Sequence, residues 1–190
     1  MRDCRVIGVT GAGRGTGATH LSILCANYLA SCMQRKVSVI QWNSHGDFQK
    51  VEHMLAGNSN SRQDSALVKY PLFEADYYKT GDPRLLAQCM EDAYDDIIID
   101  FGEMRDAIRG EWLRCSIQVI TASLSEWKLE AFLEFLSGEK KLGKGWIYAA
   151  AFGSEDTRKE IEKQFRISLN RIPLSVDAFS VDRGIMDWFK

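Results

Sequence analysis

The 190-residue sequence has no run of lysine or arginine, and its 24 basic residues are outnumbered by 26 acidic ones, for a net charge of -2. Tracking nucleic-acid phosphates or an acidic lipid surface requires clustered positive charge, so neither partner has an electrostatic basis here. The cysteines, Cys4, Cys25, Cys32, Cys89 and Cys115, are odd in number, scattered and without a C-x-x-C pair. That spacing gives no disulfide framework and no zinc site, and leaves reduced, mostly buried thiols. No apolar span reaches 18 residues, and the opening "MRDCRVIGVTG" meets a glycine turn after too short an apolar run for a secretory signal. A cytoplasmic location is expected. Repeats, low-complexity tracts and interdomain linkers are absent, so a single domain over 1–190 is expected. The most informative absence is local: no lysine occurs before Lys36, although a glycine-rich turn lies well upstream of it.

Short apolar runs alternate with longer amphipathic stretches. The runs are "CRVIGVT" (4–10), "KVSVIQW" (36–42), "DDIIID" (95–100), "SIQVITA" (116–122), "WIYAAAF" (146–152) and "ISLNRIP" (167–173). Several are continuous and β-branched rather than alternating, as strands buried on both faces are. Leu21, Leu24, Cys25, Tyr28, Leu29 and Cys32 form one helical stripe, and further helices are expected near 83–93, 126–137 and 155–165. The implied fold class is α/β: a doubly wound, mainly parallel sheet with helices on both faces. Between 57 and 82 a polar break, "GNSNSRQDS", precedes a short candidate strand around "ALVKYPLF". The apolar C-terminal segment "FSVDRGIMDWFK" is too short and too poor in basic residues for a membrane anchor and is expected to pack on the domain.

The stretch "VTGAGRGTGATHL" (9–21) joins the first strand to the first helix, a layout in which backbone N–H groups and a helix N-terminus hold phosphate. Two families share this kind of turn. Its Thr10, Gly11, Gly15 and Gly17 match the T-G-x-x-x-G-x-G turn of short-chain dehydrogenases. Those enzymes need a Tyr-x-x-x-Lys pair, and no tyrosine here has a lysine four residues on. The second strand also ends in "QWN", without the acid that would hold an adenosine ribose. The other resemblance, to the MinD/ParA group of P-loop ATPases, extends over four segments in order. "GRGTGAT" (13–19) is similar to K-G-G-x-G-K-[ST], and "VIQWNSHGDF" (39–48) to a strand ending in D-x-D-P-Q-G-[DN]. "YDDIIIDFGE" (94–103) is similar to Y-D-x-I-I-I-D-x-x, and "NRIPLS" (170–175) to the I-P turn that closes the sheet.

That resemblance implies a phosphate loop of Gly13, Arg14, Gly15, Thr16, Gly17, Ala18, Thr19 and His20, with Thr19 and Asp100 as magnesium ligands. It also exposes the departures. Ala18 stands where the family places its phosphate lysine, Gly13 where it places a second, partner-reaching lysine, and Gln41 and Asn43 where it places two aspartates. Amides bring no negative charge and are no base near neutral pH. Arg14 is the only cation inside the loop, and His45 is a substitute base on paper. With these departures the resemblance implies a degenerate nucleotide-binding protein that holds ATP or ADP with Mg2+ weakly or not at all. Such a protein would act through protein partners, a homodimer among them, and carry no catalytic residue of its own. "GTGATH" is similar to the TadZ/CpaE-like branch, which adds a hint of scaffold work in localisation or assembly. An ATPase completed by a partner, and an NAD(P)-binding protein of the dehydrogenase type, remain the alternatives.

Overall fold

A computed structural model describes residues 4–55, 68–139 and 142–190; the polar break at 57–65 lies outside them. The described chain forms one eight-stranded sheet. Its strands are β1 (Arg5–Gly11), β2 (Val37–Gln41), β3 (Lys69–Leu72), β4 (Ala75–Tyr78), β5 (Asp96–Glu103), β6 (Ile117–Ser123), β7 (Ile147–Ala151) and β8 (Leu169–Arg171), in the spatial order β3-β4-β2-β5-β1-β6-β7-β8. Every pairing is parallel except β3 with β4, an antiparallel hairpin at the edge. The six expected strands are all present. Central β5 reads "DIIIDFGE" and is buried along nearly its whole length, because helices cover both faces of the sheet.

One face is covered by α1 (Ala18–Asn27), α2 (Asp47–Leu55) and the C-terminal α7 (Arg183–Phe189). The other is covered by α3 (Pro83–Glu91), α4 (Asp106–Arg114), α5 (Leu129–Gly138) and α6 (Glu155–Phe165). The helices expected near 83–93, 126–137 and 155–165 are α3, α5 and α6. Asp82 caps α3 and Ser154 caps α6, each side chain accepting from the N–H three residues on. Helix α1 passes into a π-helical turn, Tyr28–Cys32, closed by Met33 N–H on the Tyr28 carbonyl at 3.2 Å. That wider turn shifts the helical phase, so Leu21 through Leu29 are buried while Cys32, the last residue of the expected stripe, faces solvent.

The C-terminal segment packs on the domain. Phe189 stacks on Tyr28 with ring centroids 4.7 Å apart, and Asn27 Nδ2 donates to the Ala178 carbonyl at 3.2 Å. Among the described residues all five cysteines are free, and no helix is long and apolar enough to cross a membrane. Burial pushes the Cys25 and Cys115 thiols up to about 12, so neither is a thiolate near neutral pH.

Candidate functional site

Three strands end together to build the site. In the register of β1, β5 and β2, Asp100 pairs with Val9 on one side and Gln41 on the other. The glycine loop leaves β1 at Gly11 and runs to Gly17, the residue before α1. Gly15 and Gly17 take φ of 70° and 93°, a left-handed backbone that other residues adopt only at a strain of about 1 kcal/mol or more. The turn is fixed from inside. Thr16 Oγ1 donates to the Gly13 carbonyl at 3.0 Å and lies 3.1 Å from Thr121 Oγ1, while Ala12 N–H donates to the Thr121 carbonyl at 2.9 Å.

Loop residues 13–20 line a cavity of about 460 Å³ together with His45, Asp47, Lys50, Gly102 and Glu103. From the cavity wall Thr19 reaches the wholly buried Asp100, 81 positions away in sequence: Thr19 Oγ1 donates to Asp100 Oδ2 at 2.7 Å. The Gly102 N–H donates to Asp100 Oδ1 at 3.0 Å. Burial pushes the Asp100 carboxyl up, and those two hydrogen bonds work against the shift. His20 begins the second half of the site. Burial lowers its pKa, and its Nε2 is buried without a hydrogen-bond partner among the described residues. Together with Gly15, Thr16 and Gly17 it also lines a second cavity of about 470 Å³, whose apolar walls include Phe152, Ile172 and Leu174.

The two amides at the aspartate positions are engaged in shaping a turn. Gln41 is wholly buried; its Nε2 donates to Asn43 Oδ1 at 2.9 Å and its Oε1 accepts from Phe48 N–H at 3.1 Å. Asn43 Oδ1 also accepts from His45 N–H at 3.0 Å, and Asn43 Nδ2 donates to the Asp100 carbonyl at 3.1 Å. A carboxylate at 41 has no proton to give Asn43, so the turn that begins α2 is built for amides. Gly102, at φ 68°, lets this turn lie close, since a Cβ there would sit 3.1 Å from the Asn43 Cβ.

The missing lysines have structural counterparts. A Cβ at Gly13 would meet the Ala131 Cβ of α5 at 2.9 Å, so a long side chain at that position requires α5 to move. From the start of the same helix Lys128 Nζ donates to the Arg14 carbonyl at 2.6 Å. Sequence reasoning missed Lys128, as it missed Lys50 in the lining of the cavity; neither lies near the loop in the chain, and no spacing rule points to them. Lys128→Ala is expected to lower stability by about 1 kcal/mol or less, because the bond is partly open to solvent. It is also expected to speed hydrogen exchange at the amides of residues 13–17. Unchanged exchange there would show that the loop does not depend on this contact.

Strand order bears on the dehydrogenase alternative. A dinucleotide-binding sheet pairs its first strand with its second, whereas here β5 lies between β1 and β2. No protein-family model and no curated protein sequence matches this chain. Solved structures match it in shape. A ParA family ATPase from Chlorobium tepidum TLS superposes with a TM-score of 0.66 at 18% identity, over 96% of this chain and 89% of that one. A putative plasmid partition protein from Borrelia burgdorferi B31, solved bound to AMPPNP, gives 0.62 at 14% identity over 98% of both chains. A chain of the MinC:MinD cell division protein complex from Aquifex aeolicus gives 0.62 at 14% identity, over 97% of this chain and 86% of that one. Identities this low speak to architecture alone, and in architecture the chain has the fold of the ParA and MinD ATPases.

Proposed function

We propose that this chain is a degenerate member of the ParA/MinD type: it binds ATP or ADP weakly, turns it over very slowly or not at all, and acts through contacts with other proteins. The observation that carries the reading is a cavity lined by the left-handed glycine loop and by Thr19, whose hydroxyl is bonded to the buried Asp100, with no charge at positions 18, 41 and 43. The loop amides and the N-terminus of α1 attract an anion without a lysine. The adjoining second cavity, with its apolar walls, suits a base. Thr19 lines the cavity with the buried Asp100 carboxylate bonded to its hydroxyl, hard oxygen chemistry that suits Mg2+ with waters completing its shell. When bound, the ion would neutralise phosphate oxygens. Thr19 would offer its hydroxyl oxygen to the ion, and Asp100 would orient that hydroxyl.

Turnover is another matter. Removing a preorganised transition-state cation costs on the order of 3 kcal/mol, and here the lysine and both acids are absent together. Steady-state phosphate release is therefore expected far below about 1 per second. Turnover at or above that value would overturn the reading. Binding is checked separately by thermal shift with ATP, ADP and NADPH, each with and without Mg2+, because a ligand of the native state raises its melting temperature by mass action. The expected pattern is a small shift with ATP or ADP that grows with Mg2+, and none with NADPH.

A role in protein contacts is supported by the mouth of the site. Trp127, 87% exposed, adjoins Lys128, and Phe152, Leu174 and Val176 are exposed apolar groups at the same end of the sheet. A second copy of this chain or another protein would cover them. The same surface favours a second reading, an ATPase whose missing charges come from the partner. Under that reading turnover appears only when the partner is present.

A further inference from the structure

We propose that Lys50, on α2, supplies the ammonium that position 18 of the glycine loop lacks and binds the outer phosphates of the nucleotide. The assignment rests on the nucleotide-binding reading above and adds to it the group that selects for more than one phosphate. Lys50 lines the same cavity as Ala18 and Thr19 and is brought there by α2, not by the loop. A phosphate seated on the loop amides therefore shares its cavity with Lys50, a compact ammonium on a flexible stem that acts as a point charge. The other nearby lysine is already engaged, since Lys128 Nζ is bonded to the Arg14 carbonyl.

Placement of Lys50 follows from the two amides that stand where acids are expected. Gln41 takes the Phe48 N–H and Asn43 takes the His45 N–H, which pins the chain on either side of Asp47, the first residue of α2. Phe48 is wholly buried, so the first turn of the helix is anchored, and Lys50 N–H closes it on the Gly46 carbonyl at 3.1 Å. Because Gln41 and Asn43 are neutral, they do not draw the ammonium away from the cavity. Its present partner is Asp47 Oδ1 at 2.8 Å, also on the cavity wall, and the Lys50 side chain is 69% exposed. A solvated pair of this kind contributes little and yields readily to a polyphosphate of higher charge. Arg14 and His45 also face the cavity, and Asp47 and Glu103 oppose them there. Lys50 and Asp47 thus form an exchangeable pair in which phosphate displaces carboxylate.

Calorimetric titration of the full chain with Mg-ATP and with AMP tests this. Lys50→Ala is expected to weaken Mg-ATP about tenfold and to leave AMP unchanged, because AMP has no outer phosphate to lose the contact. Lys50→Arg should keep most of the affinity. Asp47→Asn should tighten Mg-ATP severalfold by freeing the ammonium and removing a like charge, and this gain should shrink in the Asp47→Asn/Lys50→Ala double variant. Since Lys50 is exposed, its variants are expected to melt with the wild type. An unchanged Mg-ATP affinity in Lys50→Ala, or an equal loss for ATP and AMP, overturns the assignment while the nucleotide reading stands. Wild-type protein that binds neither ligand removes both.

Discussion

Ala18→Lys is expected to raise Mg-ATP affinity about tenfold or more while changing AMP affinity little. Ala18 is the first residue of α1, lines the proposed phosphate cavity and adjoins Thr19. A lysine there is placed beside the outer phosphates, where a charge-assisted contact contributes roughly 1.5 to 3 kcal/mol, and about 1.4 kcal/mol is a factor of ten. AMP does not extend that far. The comparison therefore tests both the register of "GRGTGAT" and the presence of a phosphate site. Calorimetry that shows no change, or the same change for both ligands, means the loop does not occupy the P-loop register. If Lys50 already contacts the outer phosphates, the gain from Ala18→Lys is expected to be larger in the Lys50→Ala background than in the wild type, since the two ammonium groups would share one ligand.

Trp112→Ala is expected to be the most destabilising single truncation, by about 3–5 kcal/mol. Trp112, on α4, is the largest fully buried side chain among the described residues. Its Nε1 donates to the Gly8 carbonyl at 3.0 Å, and its ring lies 4.9 Å from that of Trp146. The indole rests directly on β1, since a Cβ at Gly8 would come within 2.9 Å of Trp112 Cδ1. Its loss leaves a cavity beneath the strand that carries the loop. Against a typical total stability of about 5–15 kcal/mol, the melting temperature should fall on the order of 10 °C. A urea melt with unchanged m-value checks the magnitude, and a loss below about 1 kcal/mol would show that α4 repacks to fill the space. Gly8→Ala is expected to harm the wild type more than the Trp112→Ala variant, because part of its clash has been removed.

Much of this architecture is local information. Six strands and the helices at 83–91, 129–138 and 155–165 follow from apolar runs, helical stripes and caps such as Asp82 and Ser154, each a property of a few consecutive residues. The loop glycines are legible for the same reason, since a left-handed backbone at Gly15 and Gly17 is written in the residue type. The elements that escaped sequence reasoning carry weak local signals. Helix α4 has a glycine at its middle and one fully buried side chain, α2 buries only Phe48, and β4 is four residues long, paired with an equally short edge strand.

The chemistry divides along the same line. Sequence alone determined which charges are missing, at Ala18, Gln41 and Asn43, and proposed Thr19 with Asp100. Only the tertiary structure brought that pair to 2.7 Å, turned the two amides into the scaffold of α2, put Lys50 in the cavity of the loop and bonded Lys128 to the Arg14 carbonyl. The physical reason is that periodicity and capping act within one or two turns of chain. Which side chains share a cavity is decided by strand order, and here that order inserts β5 between β1 and β2 and joins residues far apart in sequence.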